Sequence, residues 1–98
     1  DGHVREQRAR YGWRRDVLRR AFERAGWRVD GSEAGLYLWV TRDEDCWLSL
    51  SSLADLGILA APGEFYGRAG SRHVRVALTA SDERVDAAAS RIAVATWA

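Results

Sequence analysis

His73-Val74-Arg75-Val76-Ala77-Leu78-Thr79 alternates strictly, with Val74, Val76 and Leu78 on one side and His73, Arg75, Ala77 and Thr79 on the other. That period of two is a β-strand with one apolar row. Arg75 therefore stands on the face opposite the packed valines. Upstream, Ile58-Leu59-Ala60-Ala61 reads as a brief apolar strand ended by Pro62, which has no N–H for a ladder. Between the two strands, residues 62–72 (PGEFYGRAGSR) hold three glycines and two aromatics. They predict a surface loop with unusual backbone angles, its rings Phe65 and Tyr66 pinned by packing.

Further upstream, Leu36-Tyr37-Leu38-Trp39-Val40 is too apolar for a wet face, so it predicts a central strand covered on both sides. Trp27-Arg28-Val29 reads as a short extended segment and residues 30–35 as a turn. Three helices surround these strands. The first, His3 to Ala25, carries Val4, Tyr11, Leu18, Phe22 and Ala25 on one side and its arginines on the other, with Asp16 and Arg20 spaced to pair. Gly26 stops it. The second carries Trp47, Leu50, Leu53, Ala54 and Leu56 up to Gly57, and the third starts at Ser81 with acids in its first turn. The fold class is α+β: one domain over residues 1–98, with a small mixed or antiparallel sheet of about three strands and helices mainly on one face.

Composition narrows the chemistry. The 98 residues include 15 Lys+Arg, all of them Arg, so no protein amine is available for a Schiff base or a P-loop. Cys46 is the sole cysteine, which excludes an internal disulfide, and His3 and His73 lack metal-ligand spacing. No metal site is expected. No apolar run approaches the ~20 residues of a membrane span, so a cytoplasmic protein is the default. Residues 1–28 hold nine Arg against four acids, and residues 29–98 six Arg against ten. The basic first third reads as a solvated helix face, with a free-standing Arg-rich module for an acidic partner or nucleic acid as the alternative.

No Ser lies in a nucleophile-elbow pattern, so Ser71, His73 and Asp82 read as chance neighbours. Gly63, Gly67 and Gly70 match neither the dinucleotide fingerprint nor the P-loop. Arg75 is the strongest isolated signal, because a guanidinium held in mid-strand demands an anionic partner. That partner is either Glu33 or Glu64 in an ion pair, or a ligand carboxylate gripped by the planar fork. A regulatory domain binding a carboxylate effector would need the same site.

Several segments in order resemble a known family. They are Tyr11-x-x-Arg14-Arg15-Asp16-x-Leu18, Gly35-Leu36-Tyr37-Leu38-Trp39, Leu53-Ala54-x-x-Gly57-Ile58, Ala61-Pro62-Gly63-x-Phe65-Tyr66-Gly67 and His73-Val74-Arg75-Val76-Ala77-Leu78. Together they resemble the C-terminal small domain of a class I/II aminotransferase that uses pyridoxal phosphate. The wording SEAGLYLW, GILAAPGEFYG and HVRVALTASDERVDAAASRI looks most like the actinobacterial type of succinyldiaminopimelate aminotransferase. One departure is that Ser32-Glu33-Ala34-Gly35 has no Pro before its glycine. The resemblance implies a longer homodimeric parent of lysine biosynthesis that acts on amino and keto acids with glutamate as donor. It implies that Arg75 grips the substrate carboxylate, that Phe65 and Tyr66 border the cleft, and that the cofactor is anchored by an absent large domain. The 98 residues alone are then expected to be inactive.

Overall fold

A computed structural model describes residues 2–33 and 36–97. Helix α1 (Gly2–Arg24) leads into strands β1 (Arg28–Glu33) and β2 (Tyr37–Thr41), helix α2 (Cys46–Asp55) and strand β3 (Ala60–Pro62). Two 3₁₀ turns, Gly63–Tyr66 and Arg68–Gly70, precede strand β4 (Val74–Ala77) and helix α3 (Asp82–Val94). The strands form one sheet in the order β1-β2-β4-β3, and every neighbouring pair is antiparallel. The α+β class is as expected, but the sheet has four strands where about three were expected.

The added strand is β1. The Asp30-Gly31-Ser32 stretch, which composition assigns to a turn, pairs instead with β2 through a bulge between Val29 and Gly31. A bulge tolerates the Asp and Gly that weaken a regular strand and bends the chain locally. Ala34 and Gly35 of the expected turn lie outside the described residues. Pro62 is the last residue of edge strand β3 rather than its stop, paired with Val74 where no ladder N–H is lost.

One face of the sheet is the core. Leu38, Val40, Val74 and Val76 are buried there, with Leu18 and Phe22 of α1, Leu53 of α2, and Val85 and Ile92 of α3. Burying each such side chain contributes about 1.5–3 kcal/mol. Phe22 meets Trp27 edge to face at 5.2 Å, and Trp27 meets Trp97 at 5.3 Å, so aromatic packing closes the end of the core. Helices α1 and α2 end where glycine permits a left-handed residue: Gly26 has φ +91° and Gly57 φ +76°. Asp45 caps α2 by accepting from the Trp47 N–H, and Ser81 caps α3 by accepting from the Arg84 N–H.

Two expectations for α1 change. Arg14 is not on a solvated face: its side chain is buried, donating through Nε to Asp82 at 2.8 Å and through Nη1 to the Leu78 carbonyl at 2.9 Å. It ties α1 to the start of α3, where an acid already suits the helix dipole. Asp16 pairs with Arg19 at 3.4 Å and not with Arg20, and Arg19 also reaches Glu23 at 3.7 Å. The apolar side of α1 is as expected at Leu18 and Phe22, while the side chain of Val4 lies outside the described residues.

Candidate functional site

The other face of the sheet carries a different chemistry. Strict register puts Trp39 opposite Arg75 and Tyr37 opposite Ala77, so these four side chains share the face away from the core. β2 is therefore not covered on both sides: Leu38 and Val40 are buried, while Tyr37 and Trp39 between them are half-exposed. The apolar character of Leu36–Val40 hid an ordinary alternation, because its outer row is aromatic rather than polar.

Arg75 is half-buried in the middle of this face. Its Cζ lies 3.5 Å from the centroid of the Tyr37 ring and 4.7 Å from that of Tyr66. A carbon at 3.5 Å from a ring centroid can only sit over the ring's face, in the arrangement where the quadrupole attracts a cation. Tyr66 in turn meets Trp39 edge-on at 5.4 Å, so the loop before β4 is fastened over the strands by its aromatic ring. The loop can fold this tightly because Gly63 and Gly70 touch. A Cβ on either would lie 2.2 Å from the other's carbonyl oxygen, and the intervening Gly67 has φ +125°.

Of the two carboxylates expected as partners of Arg75, Glu64 accepts from the Trp47 indole N–H, and the side chain of Glu33 lies outside the described residues. Phe65 is not gathered with Arg75 and Tyr66. It is 68% exposed and packs its ring against Trp47 at 5.8 Å. The loop's two rings are thus pinned to different elements.

Beside Arg75 lies a charged network that sequence reading missed. The Asp30 carboxylate, on the β1 bulge, accepts from Arg28 Nε at 2.7 Å and stands 2.7 Å from His73 Nε2. Arg28 also reaches Asp43 at 3.0 Å. Hydrogen bonds from Arg28, then from His73, hold the Asp30 carboxyl down to about 2, and the two carboxylates push the Arg28 guanidinium above its ordinary range. Asp30, Trp39, Tyr66 and His73 line a cavity of about 270 Å³. The alternation of β4 had already put His73 and Arg75 on one face; the bulge that brings Asp30 to them leaves no sequence signal beyond an Asp-Gly pair.

Other chemistries find no support in this arrangement. His73 pairs with Asp30 and Asp82 with Arg14, so Ser71, His73 and Asp82 do not form a triad. No group of three His, Cys, Asp or Glu that could hold a metal is found among the described residues. No helix is long and apolar enough to cross a membrane among them either. With no Lys in the chain, these residues do not fit the aldehyde of pyridoxal phosphate. What they offer is a guanidinium fork, suited to a carboxylate.

A three-helix layer on a four-stranded antiparallel sheet is the fold of an aminotransferase small domain. The sequence profile described as Aminotransferase class I and II matches residues 1–92, and the chain belongs to that family. The matched segment is the N-terminal 92 residues of this chain; the C-terminal position within a longer enzyme is carried by the resemblance alone. The chain is 61% identical to a 4-dedimethylamino-4-oxo-anhydrotetracycline transaminase of Streptomyces rimosus over 92 residues, 94% of this chain and 26% of the relative. It is 38% identical to an LL-diaminopimelate aminotransferase of Nostoc over 88 residues, 84% of this chain and 22% of the relative. Among solved structures, an aminotransferase from Staphylococcus aureus superposes with a TM-score of 0.80 at 29% identity, over 95% of this chain and 26% of that one. The chain therefore spans about a quarter of the length of these relatives.

Proposed function

We propose that these 98 residues are the small domain of a longer, cytoplasmic and homodimeric aminotransferase, and that Arg75 binds the α-carboxylate of its amino-acid and keto-acid substrates. The observation that carries this reading is the position of Arg75: a half-buried cation on the helix-free face, with its plane laid against Tyr37. The family membership supplies the reaction class. Pyridoxal phosphate, bound by the large domain, would supply the electron sink for breaking the bond to the Cα proton. This chain's part is to hold the carboxylate by two charge-assisted hydrogen bonds, which fixes the substrate's orientation. Tyr66 borders the cleft and keeps water from it, while Phe65 holds the same turn against Trp47.

The amino donor in this reading is glutamate, and the acceptor is the keto form of succinyldiaminopimelate, in lysine biosynthesis. The sequence resemblance supports that choice, as does the likeness to an LL-diaminopimelate aminotransferase. The 61% identity to the anhydrotetracycline transaminase favours a second reading, in which the acceptor is the ketone named for that relative. Assaying the full-length enzyme with each acceptor and glutamate separates the two: the first reading expects turnover of the succinylated keto acid and fails if only the polycyclic ketone is aminated. Arg75→Ala in the same enzyme should lower kcat/KM for glutamate about 100- to 1,000-fold, the consequence of losing roughly 3–4 kcal/mol of charge-assisted binding. An unchanged kcat/KM rejects the carboxylate role.

A further inference from the structure

We infer that Tyr37 is a positioning residue for substrate binding, one whose ring face sets the plane in which the Arg75 fork meets a carboxylate, with Tyr66 as the lesser second contact. The inference rests on the carboxylate role of Arg75 proposed above.

The geometry is unequal on the two sides. At 3.5 Å the Tyr37 ring is in van der Waals contact with the guanidinium carbon, while Tyr66 is at 4.7 Å and 51% exposed. Tyr37 is fixed by the sheet itself, being a β2 residue in register with Ala77, two positions beyond Arg75 on β4. Tyr66 sits on a 3₁₀ turn and is held by its edge contact with Trp39. Four rotatable bonds separate an arginine's guanidinium from its strand. Against a ring face it loses most of that freedom before any ligand arrives. Its N–H groups lie in the guanidinium plane, so a covered face directs recognition to the edge, where a carboxylate is bound bidentately. Neither feature needs the phenol hydroxyl, and that makes the role separable from a hydrogen-bonding one.

The test uses the full-length enzyme with two amino donors, glutamate and its α-carboxamide, and reads the ratio of their kcat/KM values. Arg75→Ala should collapse the wild-type preference for the carboxylate by about 100-fold or more. Tyr37→Leu should cut it about tenfold through a raised KM for glutamate, with kcat and the carboxamide little changed. Tyr37→Phe, which keeps the ring face, should stay within about twofold of wild type. Tyr66→Leu, in an exposed turn with no core to lose, should cut the preference about threefold, and it keeps the inference testable if Tyr37→Leu does not fold. If Arg75→Ala collapses the preference while Tyr37→Leu and Tyr66→Leu keep the wild-type ratio, the positioning role is overturned and the carboxylate role stands. A loss in Tyr37→Phe as large as in Tyr37→Leu also overturns it, since the hydroxyl and not the ring would then matter. If Arg75→Ala leaves the preference intact, the carboxylate role itself fails.

Discussion

The two faces of the sheet use the same strands for opposite purposes. Along β4, Val74 and Val76 are buried against the helices, and Arg75 between them is half-exposed beside Tyr37 and Tyr66. Along β2, Leu38 and Val40 are buried, while Trp39 and Tyr37 line the other side. The core face is apolar and close-packed, so it tolerates little change in volume. The opposite face carries a cation and an acid-histidine pair, held by ring contacts and charged hydrogen bonds rather than by close apolar packing. The packed row and the proposed binding row are thus separated by one residue of register.

Breaking the core side should have the largest effect. Phe22→Ala removes a fully buried ring that packs on Trp27, and it should cost about 3–5 kcal/mol. Hydrogen exchange of the β2 and β4 amides in the full-length enzyme would show it; a loss below 1 kcal/mol would mean that α1 does not anchor the sheet. Next comes Arg14, the buried charged side chain among the described residues. Arg14→Ala leaves the Leu78 carbonyl without its donor and frees α1 from Asp82, for an expected cost of about 1–3 kcal/mol. The same exchange measurement, at the start of α3, checks it.

The smallest effect belongs to the outer face and sharpens the contrast. Asp30 titrates near 2 in the fold against an ordinary 3.8, so between these values the unfolded chain binds the extra proton. Its contribution to stability is complete above about pH 4 and is lost as pH falls toward 2. Wild type and Asp30→Asn should therefore differ in unfolding free energy at pH 5 and converge near pH 2. A difference that stays constant across that window would show that the Arg28 and His73 bonds do not hold the carboxylate.

Much of this arrangement was legible in the sequence, in a graded way. The alternation of residues 73–79 gave both the strand and the side on which Arg75 stands, and the glycine stops and Ser81 cap gave the helix ends, because each depends on local chemistry alone. Three features depend on contacts between distant segments and could not be read locally. Strand β1 is held by pairing with β2 despite its Asp-Gly pair. Arg14 is drawn inward by Asp82, 68 residues away. Tyr37 belongs to the site only because β2 lies beside β4, and its apolar neighbours masked the row it shares with Trp39. Phe65 shows the reverse: neighbouring Tyr66 in sequence, it packs on another element.

Adjacent residues on opposite sides of β4 separate the two faces most sharply in the full-length enzyme. Val76→Ala and Arg75→Ala would each be measured for hydrogen exchange of the sheet amides and for kcat/KM with glutamate. Val76→Ala should weaken protection by about 2 kcal/mol with kcat/KM within about threefold of wild type, while Arg75→Ala should lower kcat/KM at least 100-fold with protection changed by less than about 1 kcal/mol. If Arg75→Ala loosened the sheet as much as Val76→Ala and left kcat/KM near wild type, the arginine would be a structural ion and the division between the faces would be contradicted.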